Sequence, residues 1–157
     1  MIIFLRLQNF IVMPAFPKPD LNYIVNVPRE IKRLNDYKAN KPGRFIPLSG
    51  SDNLLIATWN LANFGTQERE LSHLKVIATM IAWFDVVALQ EINDNLVSFR
   101  ALQKFLPKHF KAIFTDASGN NERMCFVFNS KKIVMLEKVG EIAVAAEDLK
   151  KIGRAHV

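Results

Sequence analysis

Between residues 54 and 137 the apolar positions fall into short blocks separated by polar, glycine and proline breaks, and each block has a recognisable period. Leu55-Ile56-Ala57-Thr58-Trp59 is a run of strand length, too short for a helix of its own. Asn63-Phe64-Gly65-Thr66 reads as a turn, with Thr66 placed to cap a following helix. In that helix Leu71, Leu74, Ile77, Ala78 and Ile81 recur at spacings of three and four, so one face is buried. Residues 86–89, Val-Val-Ala-Leu, are continuously apolar, as expected of a strand covered on both faces. Asp94 or Asn95 caps a second helix with Leu96, Phe99, Leu102, Phe105 and Leu106 on its apolar side, and Pro107 stops it. Residues 111–115 read as a strand and 116–121 as a polar turn. Residues 123–128 and 133–137 then read as two strands of an antiparallel hairpin joined through Asn129-Ser130-Lys131-Lys132. The order is strand, helix, strand, helix and a meander, without repeats or low-complexity tracts.

Upstream of this block the pattern weakens. Pro14, Pro17, Pro19 and Pro28 hold the chain extended, because proline fixes its own backbone and disfavours helix in the residue before it. Residues 29–41 read as a short, charged surface helix anchored by Ile31 and Leu34, and residues 41–52 as a loop broken by Pro42-Gly43, Pro47 and Ser49-Gly50. The first twelve residues are apolar but interrupted by Arg6, Gln8 and Asn9. They are too short to span a bilayer and lack the layout of a secretory signal, so cytoplasmic residence is expected. Met13 is an alternative start, and residues 1–12 read as an upstream extension of the frame. The last six residues, 152–157, resemble a translated sequencing adapter, and on that reading His156 is excluded as a ligand.

A chain of 157 residues that is half hydrophobic can bury a core, and one domain is the expectation. Its net charge of +6 invites a nucleic-acid reading, but the charge is uneven. Residues 1–52 hold eight Lys and Arg against four Asp and Glu, whereas residues 53–151 hold twelve against eleven. The basicity therefore belongs mainly to the Pro-rich arm at 13–52, which could touch phosphates or simply be a solvated tail. The single cysteine, Cys125, excludes an intramolecular disulfide and a cysteine metal cage, and its apolar setting at 124–128 reads as packing rather than as a nucleophile.

The chemistry concentrates at two strand ends. The segment NLLIATWNLAN at 53–63 ends its apolar run at Asn60, and FDVVALQEI at 84–92 ends its own at Glu91. If those strands run side by side in the same direction, an amide and a carboxylate meet at one edge of the sheet. Both are hard oxygen donors of the kind a magnesium-type cation takes, and a carboxylate at the end of a buried strand calls for a cationic partner. His73, between Ser72 and Leu74, and His109, after Pro107-Lys108, read as solvated side chains. No Gly-rich phosphate loop, Ser-His-Asp order or zinc spacing is present in the sequence.

Trp59-Asn60, an intervening helix, and then Gln90-Glu91 resemble the opening half of the endonuclease/exonuclease/phosphatase superfamily, the deoxyribonuclease I-like phosphoesterases. The resemblance covers about residues 53–145. It implies an α+β fold, the N-terminal half of a four-layer α-β-β-α sandwich. It also implies Mg2+ or Mn2+ as cofactor and a phosphoester substrate, nucleic acid among the possibilities. By resemblance Asn60 and Glu91 help to hold the cation and the scissile phosphate. Glu122, in Asn121-Glu122-Arg123-Met124, would orient a catalytic histidine; its alternative reading is a strand-edge charge paired with Arg123. Where some nucleases of the family carry arginine two positions after the glutamate, this chain has Asn93. The family's later histidine, its Gly-Asp-x-Asn element and its final Asp-His pair are not in this sequence. Residues 53–151 therefore read as part of a domain that would run to about 200–250 residues, with one sheet face left uncovered. The expectation is a poorly soluble, inactive fragment of a hydrolase. The alternatives are a nucleic-acid-binding module of the same origin and an unrelated small α/β domain.

Overall fold

The computed structural model describes residues 24–40, 46–67, 69–117 and 121–137. In chain order these form α1 (Val27–Asn40), β1 (Ile56–Phe64), α2 (Leu71–Ile81), β2 (Val86–Asn93), α3 (Val97–Gln103), β3 (Phe110–Phe114) and β4 (Glu122–Asn129). The strands make one mixed sheet in the order β1-β2-β4-β3. β1 and β2 are parallel, joined across α2, while β4 is antiparallel to both β2 and β3. The fold is α+β, as expected. Among the described residues no helix is long and apolar enough to cross a membrane.

Alternation along the strands sorts the side chains onto two unlike faces. Val87 and Leu89 of β2, with Cys125 and Val127 of β4, join Leu74, Ala78 and Ile81 of α2 and Phe99 and Leu102 of α3 in one core cluster. Phe99 and Phe114 meet edge to face within it, their ring centres 4.9 Å apart. The other face carries the cross-strand rows Ile56, Val86, Phe128, Lys111 and Thr58, Ala88, Phe126, Ile113. On it Ile56 is 66 % exposed, and Ile113, Met124 and Phe126 are exposed as well. The sheet thus has one covered face and one open, partly apolar face.

Several local expectations are corrected. The hairpin is β3–β4 rather than β4 with residues 133–137, which form no strand. β4 already has β2 on one edge and β3 on the other, so it has no free ladder to offer a further strand. The chain instead turns at once, Lys132 and Ile133 donating their amides to the Asn129 carbonyl at 3.1 and 3.0 Å. Leu71 is 63 % exposed, and the buried stripe of α2 is Leu74, Ala78 and Ile81. Thr66 does not cap α2, whose N-cap is Glu70 without a side-chain bond. Its hydroxyl accepts from the Asn93 amide instead, at 3.1 Å. At α3 neither Asp94 nor Asn95 is the cap: the N-cap is Leu96, in left-handed backbone and without a side-chain bond, while Asn95 Oδ1 accepts the Val97 amide at 2.9 Å and Asp94 pairs with Arg123. Finally, β1 does not stop at Trp59; it runs on through an irregular stretch to Phe64.

Candidate functional site

That irregular stretch brings Asn60 and Glu91 together. Parallel pairing sets Asn60 opposite Gln90, so strict alternation would send the next residue, Glu91, to the other face of the sheet. Two register shifts prevent this. Between the pairs Asn60↔Gln90 and Phe64↔Ile92, β1 carries three residues where β2 carries one. Between Leu89↔Cys125 and Ile92↔Arg123, β2 carries two where β4 carries one. Such bulges re-aim side chains, and here Glu91 turns back toward Asn60. Asn60 Nδ2 donates to Glu91 Oε1 at 2.6 Å, and the Asn63 amide donates to Glu91 Oε2 at 2.7 Å. Asn60 Oδ1 in turn accepts the Ala62 amide at 2.7 Å. Gln90 Nε2, on the same face, donates to Thr58 Oγ1 at 2.6 Å.

The arrangement is held in unfavourable backbone. Ala62, Asn63 and Glu91 have φ of 48°, 50° and 59° without being glycines. Each such residue costs about 1–3 kcal/mol, less for asparagine, and persists only when its surroundings over-determine it. Gly65, with φ 102°, closes the turn beyond β1, where a Cβ would come within 2.9 Å of Asn93 Cβ. Asn93 Oδ1 accepts the Asn95 amide at 3.1 Å while its Nδ2 bonds Thr66, so Asn93 ties two loops together.

Chemically, each Glu91 oxygen accepts one hydrogen bond and keeps a lone pair. With Asn60 beside it at the exposed margin of the sheet, this is a pair of hard oxygen donors, and the set fits a magnesium-type ion, which keeps several waters and needs only one or two carboxylates. Among the described residues no three of His, Cys, Asp and Glu gather into a metal-holding group. Glu122 opens β4 opposite Asn93, at the same end of the sheet. Arg123, the next residue, binds Asp94 and donates to the Thr115 carbonyl at 2.7 Å.

The histidines differ from expectation. His73 is half-buried with both ring nitrogens out of contact with solvent, rather than solvated. His109 is also half-buried, its ring 5.1 Å from that of Phe110. His156 lies outside the described residues, as do residues 13–23 and 41–45 of the basic arm and residues 152–157. Cys125 is fully buried, and burial pushes its thiol up to about 12, which suits a packing residue and not a nucleophile.

Sequence reasoning missed three contributors. One is the Asn63 amide, whose role depends on a bulge that hydrophobic periodicity does not reveal. Another is Arg69, whose Nη2 donates to the Leu61 and Ala62 carbonyls at 2.6 and 3.0 Å. The third is Asp85, at the opposite end of β2 and only 2 % exposed. Lys132 Nζ and the Leu55 amide donate to its Oδ2, both at 3.0 Å, and Ser49 Oγ donates to its Oδ1, also at 3.0 Å. Burial alone would raise the Asp85 pKa. The Leu55 amide, Lys132 and Ser49 together outweigh it and hold the carboxyl below its ordinary value.

Against known proteins the chain matches no family model, no curated protein and no solved structure.

Proposed function

We propose that this chain carries the cation- and phosphate-holding half of a divalent-metal-dependent phosphoesterase of the endonuclease/exonuclease/phosphatase kind. The observation that carries the reading is the Asn60–Glu91 pair, brought together at one end of two neighbouring parallel strands by two register shifts whose residues Ala62, Asn63 and Glu91 are left-handed without being glycines. Strain of this kind clusters at functional sites, and a purely structural strand end has no need of it. The open sheet face is compatible with one half of the four-layer sandwich, whose second sheet would pack there.

In this reading Glu91 and Asn60 hold Mg2+ or Mn2+. The bound ion supplies a Lewis acid that takes up charge on the phosphoryl oxygens. Glu91 would contribute the negative charge, and Asn60 would offer the lone pair that its Oδ1 keeps beside the Ala62 amide. Glu122 stands at the same sheet end as the residue that orients a catalytic histidine. The sequence contains neither the Gly-Asp-x-Asn element nor the Asp-His pair that would supply the base. The chain alone is therefore expected to bind without turnover. Substrates of this class include nucleic acids and smaller phosphoesters, and the proposed setting is cytoplasmic.

The test is Mn2+ binding to the protein, followed by electron paramagnetic resonance, for the wild type and for Glu91→Gln. Saturable binding weakened at least about tenfold by the substitution, with unchanged circular dichroism, is the expected result. Equal binding by the two proteins would remove the cation site. Salt-sensitive DNA binding indifferent to Mn2+ would point to a nucleic-acid-binding module instead.

A further inference from the structure

Arg69 lies between the end of β1 and the start of α2, outside the motif that drew attention to Asn60 and Glu91. Its guanidinium sits 5.2 Å from the centre of the Phe64 ring, and Phe64 is fully buried. Nη2 grips two carbonyl oxygens, those of Leu61 and Ala62. These belong to particular peptide units. The Leu61 carbonyl shares its peptide plane with the Ala62 amide, which donates to Asn60 Oδ1. The Ala62 carbonyl shares its plane with the Asn63 amide, which donates to Glu91 Oε2. A trans peptide is rigid and planar, its C=O and N–H pointing opposite ways, so holding the oxygen aims the hydrogen. One guanidinium nitrogen therefore aims both backbone donors that orient the site's two side chains. A cation on the carbonyl also polarises the peptide and strengthens the bond made by its N–H.

We infer that Arg69 is a positioning residue for the Asn60–Glu91 pair, acting through the 61–62 and 62–63 peptide units. The geometry stands by itself; its consequence for a bound cation rests on the reading proposed above. The residue is not an economical structural anchor. Nη1 is buried and has no partner among the described residues, a deficit that asks for an explanation beyond packing. Ala62 and Asn63 are left-handed, so without a grip on the Leu61 and Ala62 carbonyls the two peptides would relax to ordinary backbone and carry the Ala62 and Asn63 amides away from Asn60 and Glu91. The guanidinium stays charged despite burial, which lowers its pKa only from a very high value.

Two variants and two readouts test this. Amide hydrogen exchange in the metal-free protein is followed at Ala62 and Asn63, with Leu89 and Cys125 as references in the buried ladder of the same sheet. Arg69→Met should speed exchange at Ala62 and Asn63 at least about tenfold and leave the references unchanged. It should also weaken Mn2+ about tenfold, as loss of an outer-shell partner does. Arg69→Lys should keep both within about threefold of wild type, because an ammonium can donate to the same two oxygens. Unchanged exchange at Ala62 and Asn63 in Arg69→Met would overturn the assignment. So would acceleration at all four amides together, since Arg69 would then merely support the fold. If the wild type takes up no Mn2+, the cation reading fails while the exchange pattern still decides the role of Arg69.

Discussion

The two ends of the β1–β2 pair solve opposite problems. At the start of the strands Asp85 is almost fully enclosed, yet each of its oxygens is bonded, and its charge is met by Lys132. Among the described residues no left-handed non-glycine residue lies there. The Asp85 carbonyl also accepts the Asn129 amide at 2.8 Å, so this end ties β1, β2 and β4 together. At the far end Asn60 is exposed and Glu91 half-exposed, the register slips twice, and left-handed backbone recurs at Ala62, Asn63, Glu91, Leu96 and Asn121. One end uses buried charge to close the sheet. The other keeps polar groups accessible at the expense of backbone strain, as sites that must meet a ligand do.

The comparison is broken most directly at the closed end. Lys132→Met leaves the Asp85 carboxylate buried without its counter-charge and should destabilise the fold by about 3 kcal/mol in chemical denaturation, the low end for such a loss because Lys132 keeps some solvent contact. A loss below about 1 kcal/mol would mean that Ser49 and the Leu55 amide suffice on their own.

Acid should act on the same end. The Asp85 carboxyl titrates lower in the folded protein than in the unfolded chain, so the unfolded chain binds its proton first. The stability it contributes is fully present above the ordinary value of 3.8 and is lost as pH falls below that toward the depressed folded value. In Lys132→Met the folded value should rise toward or past that of the unfolded chain, so the acid-induced loss should shrink or reverse, as read from denaturation midpoints across an acid series. A midpoint curve identical to that of the wild type would detach Lys132 from the titration.

The smallest effect belongs to the open end, and its sign is the informative part. Ala62→Gly places in left-handed backbone the one residue that adopts it freely, and should stabilise the protein by about 0.5–1 kcal/mol. Destabilisation would show that φ 48° at Ala62 carries no strain and would weaken the contrast between the two ends. Glu91→Gln belongs beside it: a large effect on Mn2+ with little on stability would separate binding from folding at this end.

Much of the frame was legible in the sequence. The three-and-four spacing of Leu74, Ala78 and Ile81 and the apolar run at 86–89 located α2 and β2, because helix and strand periods are local properties. Neighbouring parallel strands with Asn60 and Glu91 at their ends followed from the order of those elements. The hairpin was misplaced for a reason no local pattern contains: residues 133–137 are apolar enough for a strand, but β4 had no edge left for them. Thr66 has a capping residue's chemistry, and tertiary competition from Asn93 took its hydroxyl.

By itself, then, the sequence determined the element types, their order, and which residues with oxygen donors stand at the strand ends, since composition and period act over a few neighbours. Only the tertiary structure decided that Glu91 faces Asn60 rather than the opposite side of the sheet. That outcome depends on two register shifts between strands distant in the chain, and on Arg69 holding carbonyls that precede it by seven and eight residues. Side-chain direction in a sheet reverses with each single-residue slip, so where a bulge intervenes the facing is settled by which backbone groups find partners across the sheet.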